Sequence, residues 1–278
     1  MIQELKYYKP TLGQSWWLVL LILVGSLVGG GIALFWSSIP QSLSYFIMML
    51  VPLLWCVMKG RLAEQAGVRP LAIHAPHYGK LPAWVFFVLA GIALIAVSFL
   101  VEPLANLIPM PDSIKAIFEK AFVESTLWDM VVSTCILAPL LEELLCRGIM
   151  LRGMLPRMKP GKAIFWSALL FAVMHMNPWQ AIPAFLIGLL MGWIYWRTHS
   201  LWATIFLHCL NNSLSTVLSR VMPDVSIEAS WKDILPANIY WLCYAGAAVL
   251  LAVILYILHE KTLSPQISSP VDAEGLGR

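Results

Sequence analysis

The chain has 278 residues, of which 60% are hydrophobic and only 12% charged. Soluble domains carry about 25% charged residues, so the composition excludes a water-soluble globular protein and points to an all-α, polytopic membrane protein. The net charge of +3 comes without a basic cluster, which excludes a nucleic-acid surface, and the five cysteines lie in apolar stretches without paired spacing, as buried thiols do.

A membrane-spanning helix needs roughly 20 apolar residues at a rise of about 1.5 Å each. Eight segments fit or nearly fit in chain order: 16–35, 43–58, 82–101, 127–151, 163–175, 179–196, 201–219 and 239–258. The first follows Lys6 and Lys9 and runs uncharged to Lys59 without a small-residue cleavage site, so it is expected to be a retained span rather than a signal peptide. Asn177-Pro178 is a turn signal and divides the uncharged run 163–196 into a helical hairpin. Tryptophans such as Trp16, Trp17, Trp36, Trp179, Trp196 and Trp202 fall near span ends, as aromatic belts do.

Lys and Arg concentrate on the cytoplasmic side of membrane spans. With the N-terminus inside, 14 of the 18 fall on that side, and Lys115, Lys120, Arg220 and Lys232 remain outside among many acidic residues. Both termini are therefore expected to be cytoplasmic. Residues 112–125 have the pattern of an interfacial helix on the outer surface, and 59–80 that of a basic cytoplasmic loop. Residues 1–260 are expected to form one transmembrane domain, with 261–278 a disordered tail rich in Ser, Pro and Gly. Gly25/Gly29 and Gly188/Gly192 have the spacing that lets helices approach closely. No internal repeat is visible, which disfavours inverted-repeat transporters.

The fourth segment contains Leu140-Leu141-Glu142-Glu143-Leu144-Leu145-Cys146-Arg147-Gly148, three charges in an apolar run. Ionisable groups at that depth cost from a few to more than ten kcal/mol and mark sites or pathways. Counted from the inner ends at about 1.5 Å per residue, Glu142 lies roughly 15 Å deep, His208 roughly 12 Å and His175 roughly 18–20 Å. Glu143/Arg147, Phe171/His175 and His208/Asn212 are i,i+4 pairs, each sharing one helix face. Glu142 and Glu143 are about 100° apart around the axis and meet different surroundings. Pro139, three residues before Glu142, removes a backbone donor and is expected to kink the helix. Taken alone, the three charges could be an ion-pair cluster that only ties helices together. His74, His77, His199 and His259 fall in loops or at membrane boundaries and read as solvated or interfacial.

Glu142-Glu143-x-x-x-Arg147, Phe171-x-x-x-His175 and His208-x-x-x-Asn212, in that order on successive apolar helices, resemble the CAAX-processing and bacteriocin-processing family of intramembrane proteases. The resemblance covers about residues 127–219. It implies an eight-helix fold and a peptide or lipidated-protein substrate met within the lipid of a cell membrane. It also implies roles: Glu142 and His175 activate a water, and His208 and Asn212 bind the oxyanion. Glu143 would orient His175, and Arg147 would offset buried charge. The expectation is catalysis without a cofactor, with Zn²⁺ held by Glu142, His175 and His208 as the alternative. The competing function is a non-catalytic immunity or scaffold protein, or a transporter whose Glu and His relay protons.

Overall fold

A computed structural model describes residues 2–36, 38–105, 107–116, 125–222 and 230–262. After the single turn α1 (Ile2–Leu5) come α2 (Leu12–Phe35), α3 (Gln41–Gln65) and α4 (Ala83–Ala105). Residues 127–154 form α5, a continuous helical rod of alternating α and π stretches; α6 (Pro160–Met174), α7 (Pro178–Thr198), α8 (Leu201–Val221), the short α9 (Trp231–Ile234) and α10 (Ala237–Lys261) follow. All eight expected apolar segments are helical. Residues 112–116 are also helical; the rest of the expected interfacial helix, to 124, and the tail from 263 lie outside the described residues.

Among the described residues five helices are long and apolar enough to cross a membrane: Leu12–Ile32, Gln41–Gln65, Ala83–Leu104, Pro178–Thr198 and Ala237–Lys261. This is a multi-pass membrane protein. Of the eight expected segments, three fall outside that set, in α5, α6 and α8, and each has a physical reason. Charges and π turns interrupt α5, α6 stops at 15 residues, and α8 carries His208, Asn211 and Asn212. Those are the helices that bear the sequence motifs.

α5 is central and packs against α3, α6 and α8, while α4 packs against α7, α8 and α10. The α2–α3 hairpin closes tightly because a Cβ on Gly25 or Gly29 would strike the backbone of Met48 or Ser44. Gly188 and Gly192 let α7 approach α6 closely, where a Cβ would come within 3.3 Å of Ala168 and 3.1 Å of the Ile164 side chain. The small-residue pairs thus pack helices, as their spacing indicates. Asn177-Pro178 does make the hairpin turn: Met176 takes a left-handed φ of 55°, and the Asn177 side chain caps α7 by accepting from the Gln180 N–H at 2.9 Å.

The face holding the start of α2 and the end of α10 is tied by buried arginines. Arg152 donates to five backbone carbonyls: Gly148 (2.5 Å), Lys6 (3.2 Å), Leu71 (2.6 Å), Leu5 (2.8 Å) and Tyr8 (2.8 Å). Arg197, at the end of α7, donates to the His259 carbonyl and to the Thr262 hydroxyl. The segment after α3 is a loop, mostly exposed, that is strapped to this face where Ile73 is buried and its carbonyl accepts from the Tyr195 hydroxyl at 2.8 Å. His74 is exposed, as expected, and accepts the Leu201 N–H; His199 is half-buried at the end of α7.

Candidate active site

Pro139 has no N–H to give, and α5 answers with π turns on both sides of it, Val131–Leu137 before and Leu144–Leu151 after. π turns occur mostly as local bulges and frequently at functional sites. The expected disturbance at Pro139 is therefore a change of helical winding. It brackets the α stretch Ala138–Glu143 that holds both glutamates.

Glu143 is fully buried, and its Oε1 accepts from Arg147 Nη1 at 2.7 Å and from His208 Nδ1 at 3.0 Å. Arg147, also fully buried, sends Nη2 to the Gly188 carbonyl of α7 at 3.1 Å and lies 4.6 Å above the Phe171 ring. Buried charges need such partners, and the cation over a ring adds attraction where water is excluded. Phe171 also meets His175 and His208 edge-on, with ring centroids 5.1 and 5.5 Å away. It thus touches three of the polar groups at once.

The expectation that Glu143 orients His175 needs correction: it holds His208. Glu143 projects from α5 toward α8, whereas His175 caps the end of α6 and sends Nδ1 to the Phe171 carbonyl one turn back at 2.9 Å. A carbonyl only accepts, so His175 Nδ1 carries a proton and Nε2 is left free of this contact. By the same logic His208 donates Nδ1–H to the Glu143 carboxylate, and its Nε2 faces Glu142 Oε2 at 3.9 Å.

Glu142 turns the other way, into a cavity of about 150 Å³ lined by Ile22 of α2, Tyr45, Met48 and Met49 of α3, Met174, His175 and Met176. Its Oε1 accepts from the Tyr45 hydroxyl at 2.5 Å, and its Oε2 is buried without a hydrogen-bond partner. The structure therefore brings Glu142 and His175 to one cavity. Among the described residues, neither His208 nor Asn212 lines it. Asn212 lies one turn beyond His208, with Nδ2 donating to the Thr134 carbonyl at 2.8 Å and Oδ1 accepting from Asn211 at 3.2 Å. One of its two N–H bonds is thus committed, and its amide orientation is fixed. No three His, Cys, Asp or Glu side chains among the described residues are grouped to hold a metal ion.

Residues 124–214 match the family model described as type II CAAX prenyl endopeptidase Rce1-like. Over this third of its length the chain is similar to the Rce1-like family. The match contains every residue of the three motifs, and the family is one of proteases, in line with the resemblance carried by those motifs. No curated protein and no solved structure matches the chain. Tyr45 and the rest of the α2–α3 wall fall outside the Rce1-like segment. Reading the sequence missed Tyr45, because a tyrosine one turn into an apolar helix has the placement of an ordinary aromatic-belt residue.

Proposed function

We propose that the protein is an intramembrane endopeptidase in which Glu142 activates a water for attack on a peptide bond. The carrying observation is that Glu142 and His175 line one cavity, with Glu142 Oε2 buried and without a hydrogen-bond partner. A water there gives one proton to Glu142 while His175 Nε2 accepts the other in a hydrogen bond; the hydroxide adds to the peptide carbonyl, and Glu142 returns the proton to the leaving nitrogen. General-base help of this kind contributes about 10²–10⁴-fold. The uncommitted N–H of Asn212 is a donor for the oxyanion, and His208 Nε2 is a second one when it carries a proton, each worth roughly 10²–10³-fold in comparable sites. Glu143 and Arg147 hold His208 and the local charge balance.

The substrate in this reading is a membrane-associated peptide or lipidated protein, and a farnesylated, internally quenched peptide is a suitable first probe. The chain lies in a cell membrane with eight spans and both termini inside; a reporter fused after Arg278 should be active on the cytoplasmic side, and activity on the outside would overturn the eight-span count. In cells, Glu142→Gln should remove specific cleavage products from the membrane peptides, a loss of about 10³-fold or more, without lowering the amount of folded protein. Retention of every product by Glu142→Gln would leave the scaffold or transport reading. Catalysis without metal predicts that chelation leaves cleavage unchanged.

A further inference from the structure

Tyr45 stands on the second turn of α3, lines the cavity, and has no part in the steps above. Its hydroxyl donates to Glu142 Oε1 at 2.5 Å, and its side chain is half-buried. A carboxylate has two oxygens, and a donor fixed on one leaves the other to exchange protons. In Glu142 that other oxygen is Oε2, which is buried, unpartnered and 3.9 Å from His208 Nε2.

The placement of Tyr45 is secured from outside its own helix. Pro40, the N-cap of α3, offers no side-chain cap. Asp129 of α5 supplies it instead, accepting from the backbone N–H groups of Gln41 at 2.7 Å and Ser42 at 3.0 Å and from the Ser42 hydroxyl. Asp129 is fixed in turn by its own N–H donating to Thr126 Oγ1 at 3.2 Å. α3 is thus pinned to α5 one turn before Tyr45. First-turn N–H groups have no partner within their own helix and favour a negative charge, so this clamp is stabilising as well as directional.

We propose that Tyr45 is a positioning residue of the proteolytic reaction: its O–H holds Glu142 Oε1 throughout, so that Oε2 is the oxygen that takes the proton from water and returns it to the leaving nitrogen. Tyr45 keeps its own proton, and the step stays balanced: one O–H of water breaks, one C–O bond forms, and the proton on Oε2 leaves with the amine as the C–N bond breaks. The inference rests on the protease reading of the site. It also explains why a helix outside the Rce1-like segment belongs to the active site.

Two measurements on the purified full chain in detergent test it. The first is cleavage of the farnesylated quenched peptide. The second is labelling of Glu142 by dicyclohexylcarbodiimide, which adds a carboxylic acid across its C=N bond, read by mass spectrometry, with Glu142→Gln as the blank. Tyr45→Phe keeps the ring and removes the donor. It should lower kcat about 10-fold with KM within two-fold of the parent, and raise the rate of Glu142 labelling several-fold because both oxygens are then free. Unchanged labelling, or a loss of activity residing in KM, overturns the role of Tyr45. If the parent and Glu142→Gln act on the peptide alike, the protease reading fails and the positioning role fails with it, whatever the labelling. If Glu142→Gln is inactive and Tyr45→Phe retains full kcat, only the inference about Tyr45 fails.

Discussion

Arg147 and Arg152 stand five residues apart on α5, both almost wholly buried, and their guanidinium groups end in different chemistry. Arg152 places all five of its N–H groups on backbone carbonyls drawn from α1, the segment after α1, the strap before α4 and its own helix. Arg147 meets one carboxylate, one carbonyl and the face of Phe171, and its Nε is buried without a hydrogen-bond partner. A saturated cation among neutral acceptors works as a bracket for chain segments. An incompletely satisfied one beside two glutamates and a histidine belongs to a site held ready for charge to move. Burial alone does not separate the two; the partners do.

The largest effect that would break this contrast is on Arg152. Arg152→Met removes every donor and leaves several buried carbonyls unpaired, at roughly 1–3 kcal/mol for each group that water cannot reach. A total on the order of 3–5 kcal/mol is expected, which for a chain of this size lowers the thermal midpoint by roughly 10 °C. Lysine restores a charge but has three donors in place of a planar fork of five, so Arg152→Lys should recover only part of the loss. Cleavage per folded molecule should stay at the parent level in both variants. Thermal denaturation in detergent beside the peptide assay checks this, and Glu142→Gln should do the reverse. If Arg152→Met folded normally but lost activity, the bracket and the site would be one unit.

The same contrast shows what could be read from the chain. Glu142, Glu143 and Arg147 announce themselves because charges inside an apolar run are costly. Arg152 is one more basic residue at the inner end of a span, and its five acceptors are backbone carbonyls, which leave no mark in a sequence. All eight helices follow from apolar length, yet α5, α6 and α8 fall short of a simple span because they give up length or apolarity to carry polar groups. The pairing of Glu143 with His208 depends on the phase of α5, and that phase is set by π turns on either side of Pro139 that no residue pattern announces. Tyr45 contacts Glu142 across 97 positions of sequence.

The smallest effect lies on the bracket side and sharpens the comparison through pH. His74 Nδ1 accepts the Leu201 N–H at 3.2 Å, which only an unprotonated nitrogen can do, and loss of solvation pushes His74 below its ordinary value of 6.5. His199, at the end of α7, is pushed down by burial and then by the nearby His77. A histidine whose folded value is depressed favours the neutral form in the folded state. Its contribution is therefore complete above about pH 6.5 and is lost as pH falls through the lower folded value. The thermal midpoint should drop modestly between pH 7 and pH 5, and His74→Gln, whose side-chain carbonyl can accept the same N–H without titrating, should flatten part of that drop. These histidines are on the arginine-tied face and outside the cavity, so His74→Gln should leave the parent's cleavage rate at pH 7 unchanged. A changed rate would mean that the strap and the cavity are coupled, and Arg152 would then have to be counted among the residues that set the activity.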